Sequence, residues 1–181
     1  MYKEKIAELN DVDLILDVKL DIIFKSEEII SLEKNEMEKF VNYCEEDIRE
    51  NLSTYRLIYD EEQLVAIYNV NDFENGKIID TLYVFEIYRK KGIASKILDK
   101  IFNNNFQPIY LWVYKNNDIA INLYKKKGFS IKEETEYRLF MKNENIKPNN
   151  EIIKEKIFID KVESIAREYE IKYKLIIDHN K

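Results

Sequence analysis

The chain has 181 residues, 45% of them apolar and 13% aromatic, with 13 Tyr and 9 Phe. That is enough to bury one full core, and it excludes a disordered protein even though 35% of the residues are charged. A net charge of −6 offers no overall attraction to nucleic acid or to an anionic membrane.

The charged start, MYKEKIAELNDVD, has no apolar run of signal-peptide length, and stretches such as Leu64–Val70 are far too short to span a bilayer. The single cysteine, Cys44, excludes an internal disulfide, and a cytoplasmic protein is expected. Cys44 falls in the helical pattern Phe40, Val41, Cys44, Ile48 and reads as a core filler rather than a nucleophile. His179 is the only histidine, so no metal site and no His-based triad is expected.

Residues 2–9 can begin a strand, and Asn10-Asp11 offers a helix N-cap. Leu14, Ile15, Val18, Ile22 and Ile23 recur at helical spacing, which predicts a helix over 12–24; a second is predicted over 35–52. Tyr55, Leu57 and Tyr59 then alternate as in a strand. A turn at 60–63 leads to a partner strand over 64–70, and Asn75-Gly76 is a hairpin-turn signal before a third strand, 77–85. Ile93, Ala94, Ile97, Leu98, Ile101 and Phe102 form one helical stripe, and Ile109–Tyr114 is rich in strand formers. Asn116, Asn117 or Asp118 can cap a further helix through Leu123 and Tyr124, with Gly128 at its left-handed end. Residues 129–131 and 136–141 read as a closing hairpin. The order β-α-α-β-β-β-α-β-α-β-β predicts a mixed α/β sheet. Residues 143–150, with Pro148, read as a linker, followed by an amphipathic helix over 151–169 and a strand or continued helix over 171–177. The expected division is therefore a domain over 1–142 and an extension over 143–181. The extension's apolar helix has three possible uses: packing on the core, forming a homodimer, or docking another protein.

Only three glycines occur. Gly76 is assigned to the hairpin turn and Gly128 to a helix end. Gly92 stands in Arg89-Lys90-Lys91-Gly92-Ile93-Ala94-Ser95, between a strand and a helix. A glycine there lets a ligand approach the backbone, and the first helical amides lack intrahelical partners. With the positive helix end and three cations, this is chemistry suited to a pyrophosphate.

Leu82-Tyr83-Val84 followed by Arg89-x-x-Gly92-x-Ala94 resembles motif A of the GNAT superfamily of N-acetyltransferases, R/Q-x-x-G-x-G/A. Asn117-x-x-Ala120-Ile121-x-Leu123-Tyr124, ending in Gly128-Phe129, is similar to that family's second conserved block. Two departures stand out: Glu86 where many relatives have Pro, and Ala94 in place of the second motif glycine. The resemblance covers residues 2 to about 142. It implies a largely antiparallel central sheet flanked by helices, with the 77–85 strand bulged and splayed from 109–114.

Acetyl-CoA is the implied cosubstrate, and no metal is needed. Its pantetheine arm would lie along Leu82, Tyr83 and Val84, chiefly on the backbone of Leu82 and Val84. Its pyrophosphate would rest on Lys91, Gly92, Ile93, Ala94 and Ser95, beside Arg89 and Lys90. Asn117 would contact the pantetheine, cap its helix, or both. The implied reaction is direct attack of an amine, with Asp80 as base and Tyr124 donating a proton to the leaving thiolate. Asp80 as a surface charge and Tyr124 as core filler are the plain alternatives. Lys125-Lys126-Lys127 suits the helix dipole or a CoA 3′-phosphate. The implied acceptor is a small amine, a polyamine or a peptide amine. A catalytically silent acyl-CoA sensor on the same fold is the alternative reading. A kinase or dehydrogenase lacks its glycine-rich signature here.

Overall fold

The computed structural model describes residues 2–25, 34–105 and 107–144. In chain order these form β1 (Lys3–Ile6), α1 (Val12–Phe24), α2 (Lys34–Glu50), β2 (Tyr55–Asp60), β3 (Gln63–Phe73), β4 (Gly76–Val84), α3 (Ile93–Asn103), β5 (Ile109–Tyr114), α4 (Asp118–Lys126), β6 (Ser130–Glu134) and β7 (Arg138–Asn143). Seven strands make one sheet in the order β1-β2-β3-β4-β5-β7-β6. Every neighbouring pair is antiparallel except β4 with β5. The mixed, largely antiparallel α/β sheet expected from the sequence is the observed one.

Period-two alternation along the strands sends side chains to two separate cores. On one face, Tyr55 and Leu57 of β2 and Ile67 of β3 pack with Val12, Ile15 and Val18 of α1 and Ile48 of α2. On the other, Ile58, Ala66 and Tyr68 join Ile97, Leu98 and Ile101 of α3, Ile121 and Tyr124 of α4, and Leu111 and Met141. Helices α1 and α2 thus cover one face, α3 and α4 the opposite one. Cys44 of α2 is buried, as its place in the helical pattern implied.

The expected elements need four corrections. Asp11 is the N-cap residue of α1, but its side chain makes no capping bond to that helix; its carboxylate closes a short 3-10 turn by accepting from the Glu8 amide at 2.8 Å. β3 runs to Phe73, well past the expected 70. Phe73 pairs with Gly76, so the hairpin loop is Glu74-Asn75 and Gly76 lies inside β4. Asn143 belongs to β7 rather than a linker: it is buried, and its side-chain amide donates to Lys127 O at 2.7 Å. The helix and strand expected over 151–177 lie outside the described residues.

Gly76 has a tertiary reason. A Cβ there would meet the Pro108 carbonyl oxygen at 2.1 Å, and the next amide, Lys77, donates to that oxygen at 2.9 Å. The start of β4 is therefore drawn tightly against the start of β5. From there the two strands run parallel for only three pairs, Lys77 with Ile109 through Ile79 with Leu111. Beyond Ile79 they part.

Candidate active site

The parting is produced by a bulge. Asn69 pairs with Thr81 and Val70 with Ile79, which leaves Asp80 as an extra residue in β4. Asn69, buried in β3, stabilises the irregularity: its Oδ1 accepts from the displaced Thr81 amide at 2.8 Å. The bulge resets the alternation, so Ile79, Leu82 and Val84 all pack with the α3–α4 core while Tyr83 and Phe85 pack with the α1–α2 core.

The backbone of β4 follows the same logic. The Phe85 amide donates to Val65 O at 3.1 Å, so Tyr83 also bonds β3, and the N–H and C=O groups of Leu82 and Val84 face away from it. They point to the side where β5 has left, the arrangement that an extended, amide-bearing ligand can complete as an extra strand would. The Val84 carbonyl is partly used: Arg89 Nε donates to it at 3.0 Å. Tyr83 contributes neither backbone nor side chain to the gap. Its hydroxyl donates to Asp21 of α1 at 2.9 Å, and the Arg89 guanidinium lies 5.6 Å from its ring centre.

At the exposed end of the gap the chain passes through a 3-10 turn (Glu86–Tyr88) into Arg89, Lys90, Lys91 and Gly92. Lys90 and Gly92 both have positive φ, 61° and 77°. Gly92 is the N-cap of α3 and brings no side chain to it; the first intrahelical bond is from the Lys96 amide to Gly92 O. The amides of Ile93, Ala94 and Ser95 are thus without intrahelical acceptors at the positive end of an 11-residue helix. A Cβ on Gly92 would meet no protein atom within 4 Å. The glycine therefore serves its left-handed backbone and an open approach rather than internal packing. Lys91 sits over the Tyr88 ring at 5.1 Å.

On the α3–α4 side, Tyr124 is buried in the cluster that Leu82 and Val84 join, edge-on to Phe129 with ring centres 5.6 Å apart. Burial pushes its hydroxyl up to about 12. Asn117 caps α4, its Oδ1 accepting from the Ala120 amide at 3.1 Å. Lys127 Nζ is engaged by Asp99 at 2.6 Å, so of the three lysines after Tyr124 it is tied to α3.

Asp80 stands on the other side of the sheet. Lys19 of α1 contacts its Oδ2 at 3.5 Å and donates to Asp47 of α2 at 2.6 Å. Lys19 carried no functional expectation from the sequence; Asp47 carried one only as part of Glu45-Glu46-Asp47, an acidic cluster that suits a polycationic acceptor or a solvated helix face equally. A lysine between Val18 and Ile22 on the apolar side of α1 was the available signal. Across the gap, Ile109, Leu111 and Val113 point into the α3–α4 core, so Tyr110, Trp112 and Tyr114 point to the α1–α2 face. Arg138 lies over Trp112 at 5.6 Å and over Tyr114 at 5.9 Å. Asn116, just past β5, donates to Lys25 O at the end of α1 at 3.2 Å, bridging the two walls. The gap thus has a phosphate-suited loop and a protonated tyrosine toward one face, and a carboxylate with an aromatic wall toward the other. Among the described residues no group of three or more His, Cys, Asp and Glu is placed to hold a metal ion, and no helix is long and apolar enough to cross a membrane.

This geometry has relatives. The family model described as the acetyltransferase (GNAT) family matches residues 20–129. The chain belongs to that family. Two curated relatives are from Bacillus subtilis. The uncharacterized N-acetyltransferase YobR is 31% identical over 90 residues, covering 48% of this chain and 36% of the relative. The spermine/spermidine N(1)-acetyltransferase is 31% identical over 72 residues, covering 36% of this chain and 47% of the relative. The chain therefore spans less than half the length of either. Among solved structures, the PaiA N-acetyltransferase of Thermoplasma acidophilum in complex with coenzyme A shares the fold, with a TM-score of 0.58 at 15% identity over 79% of this chain and 98% of that one.

Proposed function

We propose that the protein transfers an acetyl group from acetyl-CoA to a primary amine by direct attack, the acceptor being a small amine, a polyamine or a peptide amine. The observation that carries this reading is the parting of β4 from β5 beside the Gly92 loop. It opens unpaired strand amides in the same gap that leads to the unpaired helix amides, the two kinds of donor that an extended arm ending in a pyrophosphate uses. The backbones of Leu82 and Val84 hold the arm and orient the thioester. Gly92, Ile93, Ala94 and Ser95 receive the phosphates, with Lys90 and Lys91 supplying charge. Arg89 acts chiefly by bracing the Val84 carbonyl.

The acceptor enters from the α1–α2 face. A primary ammonium, with a pKa of about 10, must lose its proton before its nitrogen can attack. In this reading Asp80 takes that proton, directly or through water. As the amide forms, the C–S bond breaks and charge develops on sulfur. Tyr124, still protonated through neutral and mildly alkaline pH, donates a hydrogen bond to it. A thiol, with a pKa of about 8.5, is the stronger acid, so stabilising the developing thiolate suits Tyr124 better than outright proton release. The similarity to a spermine/spermidine acetyltransferase favours a cationic acceptor.

Calorimetric titration with acetyl-CoA, beside a Gly92→Glu variant, tests the reading. Binding in the micromolar range that the variant loses is expected. No binding by the unmodified protein would refute it, and binding without turnover of any amine would replace it with an acyl-CoA sensor.

A further inference from the structure

Four elements meet beneath the bulge, and the polar groups they bring together are not explained by packing. Asp47 of α2 is fully engaged: Oδ1 accepts from Asn51 Nδ2 at 3.0 Å and Oδ2 from Lys19 Nζ at 2.6 Å. Lys19, only 17% exposed in its side chain, is thereby fixed with its ammonium facing Asp80, whose own side chain is 43% exposed. Tyr55 of β2 completes the cluster. It is wholly buried, and its hydroxyl makes no hydrogen bond of ordinary geometry although Thr81 lies beside it. A buried hydroxyl without a partner is costly and is retained where a polar site is built around it.

We propose that Lys19 is a positioning residue for the transfer: anchored by Asp47, its ammonium fixes the Asp80 carboxylate on the bulge and leaves that carboxylate open to the acceptor. This rests on Asp80 serving as the base of the proposed reaction. The charges fit the assignment. Two carboxylates share one resident cation, so the cluster carries a net negative charge that one acceptor ammonium completes. The groups facing Asp80 come from every element packed there: Lys19 from α1, Asp47 and the buried Cys44 thiol from α2, and the Tyr55 hydroxyl from β2. Burial works against the charge on Lys19, yet Asp80, Tyr55 and Asp47 outweigh it and hold the ammonium above the ordinary lysine range. Lys19 thus stays charged at neutral pH.

The test uses the full chain with Lys19→Met, Lys19→Arg and Asp80→Asn. The first readout needs no acceptor: NMR titration of isotope-labelled lysine ammonium groups. Lys19 should titrate above the other lysines and move down toward them in Asp80→Asn; an unmoved Lys19 would overturn the proposal. The second readout is kcat and KM with spermidine and an alanine-initiated tetrapeptide as probes. Lys19→Met should lower kcat for both amines roughly tenfold or more, because the carboxylate loses the contact that fixes it, with the KM for acetyl-CoA and the melting temperature nearly unchanged. Lys19→Arg should restore most of the lost kcat. A Lys19→Met variant whose kcat is unchanged, or whose lost kcat Lys19→Arg does not restore, would mark Lys19 as a structural staple only and overturn the proposal. Failure of the unmodified protein to bind acetyl-CoA would instead refute the proposed function, and the titration would then decide the Lys19–Asp80 coupling by itself.

Discussion

Replacing Gly76 and Gly92 by alanine, one at a time, should separate fold from site. At Gly76 the new methyl would stand 2.1 Å from the Pro108 carbonyl oxygen and 2.9 Å from a Tyr110 ring carbon. The oxygen is backbone and cannot swing away, so β4 and β5 must move apart where they are most tightly joined. Overpacking of this kind costs about 1–3 kcal/mol, and loss of the Lys77–Pro108 hydrogen bond adds about 1 kcal/mol. At Gly92 nothing lies within 4 Å, and only the left-handed backbone, at a φ of +77°, resists a side chain. That costs about 1–2 kcal/mol. Each kcal/mol lowers the melting temperature of a domain this size by about 3–5 °C. Gly76→Ala should therefore melt roughly 6–20 °C below the parent, and Gly92→Ala about half as far below, roughly 3–10 °C. Acetyl-CoA affinity should follow a different order. A methyl on the open approach to the α3 amides should remove at least one charge-assisted hydrogen bond, about 1.5–3 kcal/mol, a roughly tenfold to hundredfold weaker Kd. Melting scans and calorimetry on the three proteins decide it. Unchanged affinity in Gly92→Ala, or unchanged melting in Gly76→Ala, would refute the reasoning.

Asn69→Ala should strip the bulged Thr81 amide of its acceptor, costing about 1–3 kcal/mol in urea unfolding and weakening acetyl-CoA binding, since the gap depends on the bulge. Tyr124→Phe should leave melting and acetyl-CoA affinity nearly unchanged while removing the hydrogen bond to the developing thiolate and lowering kcat by about 10²–10³, measured with the amine that turns over fastest. Alkaline stability supplies a further check. Burial pushes the hydroxyls of Tyr55 and Tyr124 up to about 12 in the folded protein, against about 10 when unfolded. The folded state then holds more protons than the unfolded one between pH 10 and 12. Stability from these groups is intact below pH 10 and is lost as pH rises toward 12, roughly 2–3 kcal/mol for each. Urea unfolding across that window should show a shallower loss in Tyr124→Phe; identical slopes would contradict the burial argument.

Much of this was legible in the chain. The stripe Ile93, Ala94, Ile97, Leu98, Ile101 placed α3, and Arg89-x-x-Gly92-x-Ala94 placed the loop before it, because both signals are local. What depended on distant partners was hidden. Gly76 looked like a turn glycine because the Pro108 carbonyl that requires it lies 32 residues on. The bulge at Asp80 needs the Asn69 side chain, and it decides that Tyr83 faces α1 rather than the gap. A trace of it was present: apolar Ile79, Leu82 and Val84 break a period of two. The Lys19–Asp47–Asp80 cluster joins three segments far apart in sequence; the resemblance implied a role for Asp80, but nothing local to Lys19 or Asp47 linked either of them to it.

The most direct measurement follows acetyl-CoA and candidate amines together: the purified protein with acetyl-CoA and a panel of polyamines, small amines and peptides, each product identified by mass spectrometry. The account predicts one acetylated amine formed for each CoA released, a rate that falls in Asp80→Asn and Tyr124→Phe, and no acetyl left on the enzyme as an obligatory intermediate. Acetyl-CoA bound but no amine in the panel acetylated, or an acetyl-enzyme that precedes the product, would contradict it.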